Sequence, residues 1–170
     1  MNLKLLSMSF VVLVGLAACS NDLDATPAEG ARTMSLSADL TSSSTLLRTV
    51  NTGDTTVYGW NLLEGEATLD GETVEVQMLG NVDYVSGNGD FFGFITFVFA
   101  DESTIGVRMI GQATAASDTS NATFASSLTV IGGTGAYLDV TGTGTFTGER
   151  QDALGGLVSS DFVLELVPAV

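Results

Sequence analysis

The sequence predicts an all-β protein, a single closed antiparallel barrel of about eight strands, with a β-sandwich as the alternative. Apolar side chains recur at every second position along most of the chain, which is typical of strands with one buried and one wet face. Turn residues separate these runs at regular intervals. After residue 18, no apolar pattern at helical spacing persists for three turns. Together these observations favour the barrel.

Five segments carry the two-residue period. Their ranges are 34–40, 58–62, 74–78, 124–130 and 162–166. In the second segment, one face is predicted to carry Tyr58, Trp60 and Leu62. The residues between them, which include Asn61, have the opposite parity. Asp70-Gly71 follows this segment and is a type I′ hairpin signature. Turns are also predicted at residues 86–90 and 100–103, so the segments should pair as successive hairpins.

The segment Phe91–Phe99 (FFGFITFVF) departs from the alternation because both parities are apolar. Phe91, Ile95 and Phe97 share one face, whereas Phe92 and Phe94 lie on the other. A strand that is apolar on both faces is expected to be buried on both. If the first face fills the barrel, the second needs a cover. That cover is either a subunit interface or a packed loop such as the N-terminal segment.

Residues 130–148 (VIGGTGAYLDVTGTGTFTG) are rich in glycine and threonine. They do not form a phosphate loop, because no Lys-Ser/Thr follows and Leu138 stands where GxGxxG needs its third glycine. From residue 136 onward, threonines alternate with small or apolar residues, which predicts a strand with a threonine ladder on one face. Its glycines need a reason, such as the close approach of another element. Residues 131–135 are predicted to be a tight turn with positive φ.

The GGTG segment, Gly132 to Gly135, and the strand after it resemble the allene oxide cyclase and dirigent barrels. Residues 69–146, which include NVDYVSGNGDFFGF, look like bacterial members of that superfamily. The resemblance implies an eight-stranded antiparallel barrel, often trimeric, with an apolar cavity. It transfers no catalytic residue, because the cyclase glutamate–asparagine motif is absent and the single cysteine lies near the N-terminus. Whether the chain is an enzyme therefore stays open.

Composition excludes several function classes. The chain has 20 acidic and 5 basic residues. Lys4 precedes Cys19, so the part from Cys19 onward has four arginines against twenty acids, a formal charge of −16. Such a surface repels nucleic acid, so no nucleic-acid partner is expected. The absence of histidine rules out a Ser-His-Asp triad and histidine metal sites. Asp83 and Asp90 lack EF-hand spacing, and no cofactor or metal is expected.

The N-terminus is typical of a targeting segment. Residues 1–18 contain one lysine and then an apolar run that is too short for a stable membrane span, as in a secretory signal peptide. LAAC, which ends at Cys19, resembles the lipobox of bacterial lipoproteins, which implies cleavage before Cys19 and acylation of its thiol. An ordinary signal peptide cleaved near Ala18 is the alternative. Residues 19–32 then form the lipidated N-terminus and tether, and 33–170 the barrel domain. Ser20 favours the outer membrane by the same resemblance.

Four residues are candidate ligand-binding residues. Arg48 shares parity with Leu46 and Val50, so its side chain points either into the barrel or, at an irregular edge, into water. Tyr58, Trp60 and Tyr84 either line a cavity mouth or simply pack in the core or rim. We therefore expect a bacterial envelope lipoprotein whose barrel binds a small apolar ligand or serves a structural role. The alternative is a dirigent-like or cyclase-like enzyme that acts on a small hydrophobic substrate.

Overall fold

The computed structural model describes residues 30–50, 56–116, 121–151 and 154–169. The strands are β1 (Arg32–Thr49), β2 (Thr56–Leu69), β3 (Glu72–Val85), β4 (Asn88–Val98), β5 (Thr104–Ala115), β6 (Ala122–Thr134), β7 (Thr141–Arg150) and β8 (Val158–Val167). Each strand pairs antiparallel with the next, and β8 pairs with β1, which closes the barrel. The predicted fold class is confirmed. The predicted signal peptide, Cys19 and the predicted tether up to residue 29 lie outside the described residues.

Tight turns connect the first strands as the sequence predicts. Asp70 and Gly71 both have positive φ, 53° and 88°, as a type I′ turn between β2 and β3 requires. Ser86 and Gly87, in the turn between β3 and β4, also have positive φ, 52° and 77°. The turn between β4 and β5 is closed by the hydrogen bond from the Phe99 amide to the Ser103 carbonyl oxygen, 2.9 Å. No helix among the described residues has the length and apolarity to cross a membrane.

A β-bulge in β1 reverses which residues face the interior. The register with β2 shifts between Ser42 and Ser44, so Ser43 is the extra residue. Before the bulge, even-numbered residues such as Leu40 are buried; after it, Leu47 packs against the core and Arg48 is exposed. One inserted residue moves every later side chain to the other face. The inward alternative for Arg48 is therefore wrong.

The parity of β2 is also opposite to the one that its apolar residues suggest. Asn61 is only 7% exposed, whereas Tyr58 on the other face is 49% exposed. The interior positions of β2 also include Gly65, whose missing side chain leaves space for the carbonyl oxygen of Asp39 and the side chain of Leu40 on β1. The close approach of β1 explains why glycine occupies this interior position.

A column of phenyl rings fills part of the barrel interior. Phe97 contacts Phe162 at 5.4 Å between ring centroids, and Phe162 stacks on Phe146 at 5.2 Å. Phe146 in turn meets Phe91 edge-on at 6.2 Å. At the end of the barrel where β1 begins, Arg32 lies 5.0 Å from the Tyr137 ring centre, and Tyr137 packs on Phe99. Aromatic packing therefore closes this end.

The threonine ladder of β7 is confirmed, but the strand begins later than predicted. Thr141 to Thr147 alternate exposed threonines with inward glycines and Phe146. Residues 136–140 are not in the strand, because Gly135–Tyr137 form a 3₁₀ turn and Asp139 has positive φ. The predicted positive φ occurs at Gly132 and Gly135, although residues 131–134 belong to the end of β6.

The second face of the phenylalanine-rich strand β4 is exposed, contrary to expectation. Phe92 is 47% and Phe94 51% exposed. Phe94 lies opposite Leu79 on β3, and Phe92 opposite Ile110 on β5. We call the outward residues Leu46, Trp60, Leu62, Leu79, Phe92, Phe94 and Ile110 the apolar outer face. No described loop covers this face, and the N-terminal segment lies outside the described residues.

Candidate functional site

The candidate site is a cavity inside the barrel, at the end opposite Tyr137. Its volume is about 60 Å³, which is more than a single water molecule needs. Its wall is almost entirely apolar. It is lined by Leu47, Asn61, Leu63, Met78, Gly80, Val82, Tyr84, Phe91, Met109, Phe124, Phe146, Arg150, Leu154, Gly155, Gly156 and Val158. The larger hollow of about 430 Å³ near Gln112 and Asp161 is an outer groove between polar side chains, so the interior cavity is the better ligand site.

Three polar side chains reach this cavity from three different strands. Asn61 comes from β2, Tyr84 from the end of β3, and Arg150 from the last position of β7. All three are buried, with exposures of 7%, 4% and 7%. Arg150 faces inward because it shares parity with Phe146 and Gly148. The closed sheet therefore brings distant parts of the chain to one cavity.

The environment changes the acid–base behaviour of Tyr84 and Arg150. Burial raises the pKa of the Tyr84 phenol well above its ordinary value of 10.0, and the nearby positive charge of Arg150 partly opposes this shift. Burial lowers the pKa of the Arg150 guanidinium from 12.5, an effect that the charge of an ionised Tyr84 would oppose. Arginine nevertheless stays protonated in proteins. At neutral pH the cavity thus contains a neutral phenol and a cation.

The other contacts of the polar residues fix their orientation. The Ser42 hydroxyl donates to the Asn61 carboxamide oxygen at 2.5 Å, which orients the amide. The Arg150 guanidinium carbon lies 5.7 Å from the centre of the Phe124 ring, within the range of a cation–π contact. Both contacts orient polar side chains within a lining that is otherwise apolar.

Of the four candidate ligand-binding residues that the sequence predicted, one lines the cavity and three lie on the outside of the barrel. Tyr84 lines the cavity. Arg48 and Tyr58 pair across β1 and β2 on the outside of the barrel, and Trp60 lies on the same side, opposite Leu46. The Arg48 guanidinium donates to the Leu47 carbonyl oxygen at 3.4 Å. A ligand-binding role for these residues stays a prediction.

Two site residues were missed by the sequence reasoning. Arg150 continues the inward parity of β7, so extending the 136–148 pattern by two residues would have found it. Asn61 was assigned to the polar face of β2, and only the pairing with the bulged β1 shows that this face is the interior. The described residues hold no group of three or more acidic or cysteine side chains placed to bind a metal.

Comparison with known proteins supports the fold. No family model matches the chain, and no curated protein matches it. Among solved structures, the chain is similar to the pterocarpan synthase dirigent protein GePTS1, with a TM-score of 0.52 and 12% identity over 80% of this chain and 88% of that one. It is also similar to the pterocarpan synthase dirigent protein PsPTS1, with a TM-score of 0.46 and 16% identity over 84% and 97%. The similarity to GePTS1 shows that the two chains share the same barrel fold.

Proposed function

We propose that this barrel binds a small apolar ligand in the interior cavity. The observation that carries the proposal is the cavity itself, an apolar hollow with a few polar groups converging on it, which is the usual form of a small-molecule site. The fold supports it, since GePTS1, which shares the barrel, is named as a synthase of a small molecule. The polar groups favour binding over proton-transfer chemistry, because a neutral Tyr84 and a cationic Arg150 are poor bases at neutral pH.

Methionine NMR tests this proposal directly. Met78 and Met109 line the cavity, whereas Met34 is buried in the core away from it. In protein labelled with ¹³C at the methionine methyl groups, hexan-1-ol should shift the signals of Met78 and Met109 and leave Met34 unchanged. The shifts should saturate with increasing alcohol, as binding at one site requires.

Two adjacent positions on β2 provide matched variants. Leu63 lines the cavity, whereas Leu62 belongs to the apolar outer face. Leu63→Phe should fill the cavity and abolish the methyl shifts, while Leu62→Phe should preserve them. Binding that survives Leu63→Phe unchanged, or that moves Met34 as much as Met109, would place the alcohol elsewhere and refute the proposal.

We propose further that the barrel is tethered to the bacterial envelope, in the outer membrane, through acyl chains on Cys19. The support is the LAAC sequence after an apolar run, together with Cys19 being the single cysteine of the chain. More than one acyl chain is needed for a stable anchor, which this kind of lipidation provides. Cys19→Ala should abolish labelling by radioactive palmitate and release the protein from the outer-membrane fraction. Unchanged labelling would contradict the lipoprotein assignment.

The apolar outer face supports a third proposal, that the barrel forms a homo-oligomer. The expected state is a trimer, as in the barrels that the sequence resembles. Phe92 and Phe94 are about half exposed in the single chain, and contiguous apolar patches of this kind mark interaction sites. Phe94→Ser should lower the mass measured by sedimentation velocity to that of one chain. Val163→Ser, an exposed apolar position on β8, should leave it unchanged. A wild-type protein that sediments as a monomer would contradict this proposal.

A further inference from the structure

We infer that the cavity selects a small apolar ligand with one neutral hydrogen-bond acceptor, a ketone or similar carbonyl compound, which accepts the hydroxyl hydrogen of Tyr84. This inference rests on the proposed function, since it names the class of ligand that the cavity would hold. Tyr84 is then the donor that recognises the ligand, and the apolar part of the wall contacts the remainder of the molecule.

The Tyr84 hydroxyl reaches the cavity and has no hydrogen-bond partner in the part of the chain that the structure describes. Tyr84 shares inward parity with Met78 and Val82 on β3, lines the cavity and is 4% exposed. Its pKa responds to burial and to the charge of Arg150, but to no hydrogen bond. Among the described residues, no side-chain oxygen or nitrogen is sealed in protein without a partner. The phenolic oxygen therefore borders open space, and the cavity is the space that this side chain lines.

Burial keeps Tyr84 in the form that donates. It raises the pKa of the phenol above its ordinary value of 10.0, so the hydroxyl retains its proton at neutral pH. A ligand that fills the cavity removes water from this hydroxyl. A hydrocarbon would leave the O–H unpaired, which costs free energy, whereas a ligand with an acceptor replaces the lost hydrogen bond.

The rest of the wall favours a carbonyl over other polar groups. The Asn61 carboxamide oxygen already accepts the Ser42 hydroxyl, so an alcohol would bring a further donor into a lining that is almost entirely apolar. A charged head would lose its hydration there, which costs more than one hydrogen bond returns. Arg150 contacts the Phe124 ring and makes a further interaction, so we assign it no part in binding. A carbonyl, which brings an acceptor and no donor, is the complementary group.

The test compares two compounds of the same shape. Butan-2-one carries a carbonyl, whereas 2-methylbut-1-ene has a CH₂ group in place of the oxygen, and both are small, as a cavity of about 60 Å³ requires. Each is titrated against protein labelled with ¹³C at the methionine methyl groups. Both compounds should shift Met78 and Met109, which line the cavity.

Tyr84→Phe removes the donor and keeps the ring. It should weaken the binding of butan-2-one about fivefold, because the carbonyl loses its hydrogen bond, and leave 2-methylbut-1-ene within about twofold of wild type. Tyr58→Phe makes the same change on the outside of the barrel, where Tyr58 lies opposite Arg48. This matched control should alter neither affinity.

Infrared spectroscopy provides a second measurement that needs no variant. The carbonyl stretch of bound ¹³C-labelled butan-2-one should lie at lower wavenumber than that of the same ketone in hexane, since a hydrogen bond weakens the C=O bond. In Tyr84→Phe the stretch should return toward the hexane value. If Tyr84→Phe fails to give the folded methyl spectrum, the wild-type stretch decides the test.

Unchanged butan-2-one affinity in Tyr84→Phe, or equal weakening of both compounds, would overturn this inference while leaving the cavity as a ligand site. A wild-type carbonyl stretch equal to that in hexane would overturn it as well. If neither compound shifts Met78 and Met109, the proposed function itself fails and the preference for a carbonyl fails with it.

Discussion

Tyr84 and Arg150 show how a barrel wall changes the chemistry of single residues. Each is more than nine-tenths buried, and each sits at the end of a strand where the interior meets the loops. Burial disfavours the charged form of both groups, so the pKa of Tyr84 rises and that of Arg150 falls. The ordinary pKa of arginine is far above neutral pH, whereas that of tyrosine is near 10. Of the two pKa shifts, only that of Tyr84 therefore affects stability in a pH range in which folding can be measured.

The raised pKa of Tyr84 makes stability depend on alkaline pH. A folded-state pKa above the unfolded value contributes stability that is fully present below about pH 10 and is lost as pH rises toward the folded value. The free energy of unfolding should therefore fall above pH 10, with a slope that approaches about 1.4 kcal/mol per pH unit. Urea denaturation at a series of pH values from about 9 to 11 measures this slope.

Tyr84→Phe is the control for this prediction, because it keeps the ring and removes the ionisable group. Above pH 10, the free energy of unfolding of this variant should fall less steeply with pH than that of the wild type, and the difference should be the slope given above. If the variant and the wild type lose stability in parallel, the ionisation of Tyr84 is not coupled to folding and its pKa is not raised.

At the scale of the element, β7 shows why glycine is required inside a strand. A Cβ at Gly142 or Gly144 would collide with the carbonyl oxygens of Glu165 and Val163 on β8. Close approach of the neighbouring strand, the reason that the sequence suggested, therefore accounts for these glycines. Phe146 then supplies the bulk of the interior on this strand, and its ring stacks on Phe162.

Gly144→Ala should lower the free energy of unfolding by about 1–3 kcal/mol, the usual cost of overpacking. The matched control is Gly106→Ala on β5, where the added Cβ would have its nearest neighbour, the Ile131 side chain, at 3.4 Å. That change should be neutral or slightly stabilising, since alanine restricts the unfolded chain more than glycine does. Chemical denaturation of both variants measures the difference. Equal stability of the two would contradict the close approach of β8.

The β1 bulge shows the limit of parity arguments for a single strand. Leu36 and Leu40 correctly predict the interior face of the first half of β1. The extra residue at Ser43 has no sequence signature of its own, because serines occupy positions 42, 43 and 44 alike. Arg48 and the β2 residues that pair with it could therefore be placed only once the register was known.

For the whole molecule, the fold could be predicted from the sequence more completely than the site. The alternating segments and the Asp70-Gly71 turn depend on local pattern, which a sequence shows directly. The cavity depends on which strands close around it: Asn61, Tyr84 and Arg150 are far apart in the chain and meet only because β8 pairs with β1. The ring column from Phe97 to Phe146 fills part of the barrel and confines the hollow to one end. No local sequence pattern determines which part of the interior is filled and which part stays hollow.

Crystallography under xenon pressure is the most direct test of whether this hollow is an accessible apolar site. Xenon enters dry apolar cavities because it needs no polar partner. We expect electron density for xenon between Met78, Met109 and Phe146, inside the end of the barrel that contains Arg150. Density for repacked side chains in that space, with no xenon bound there, would show that the barrel has no such site.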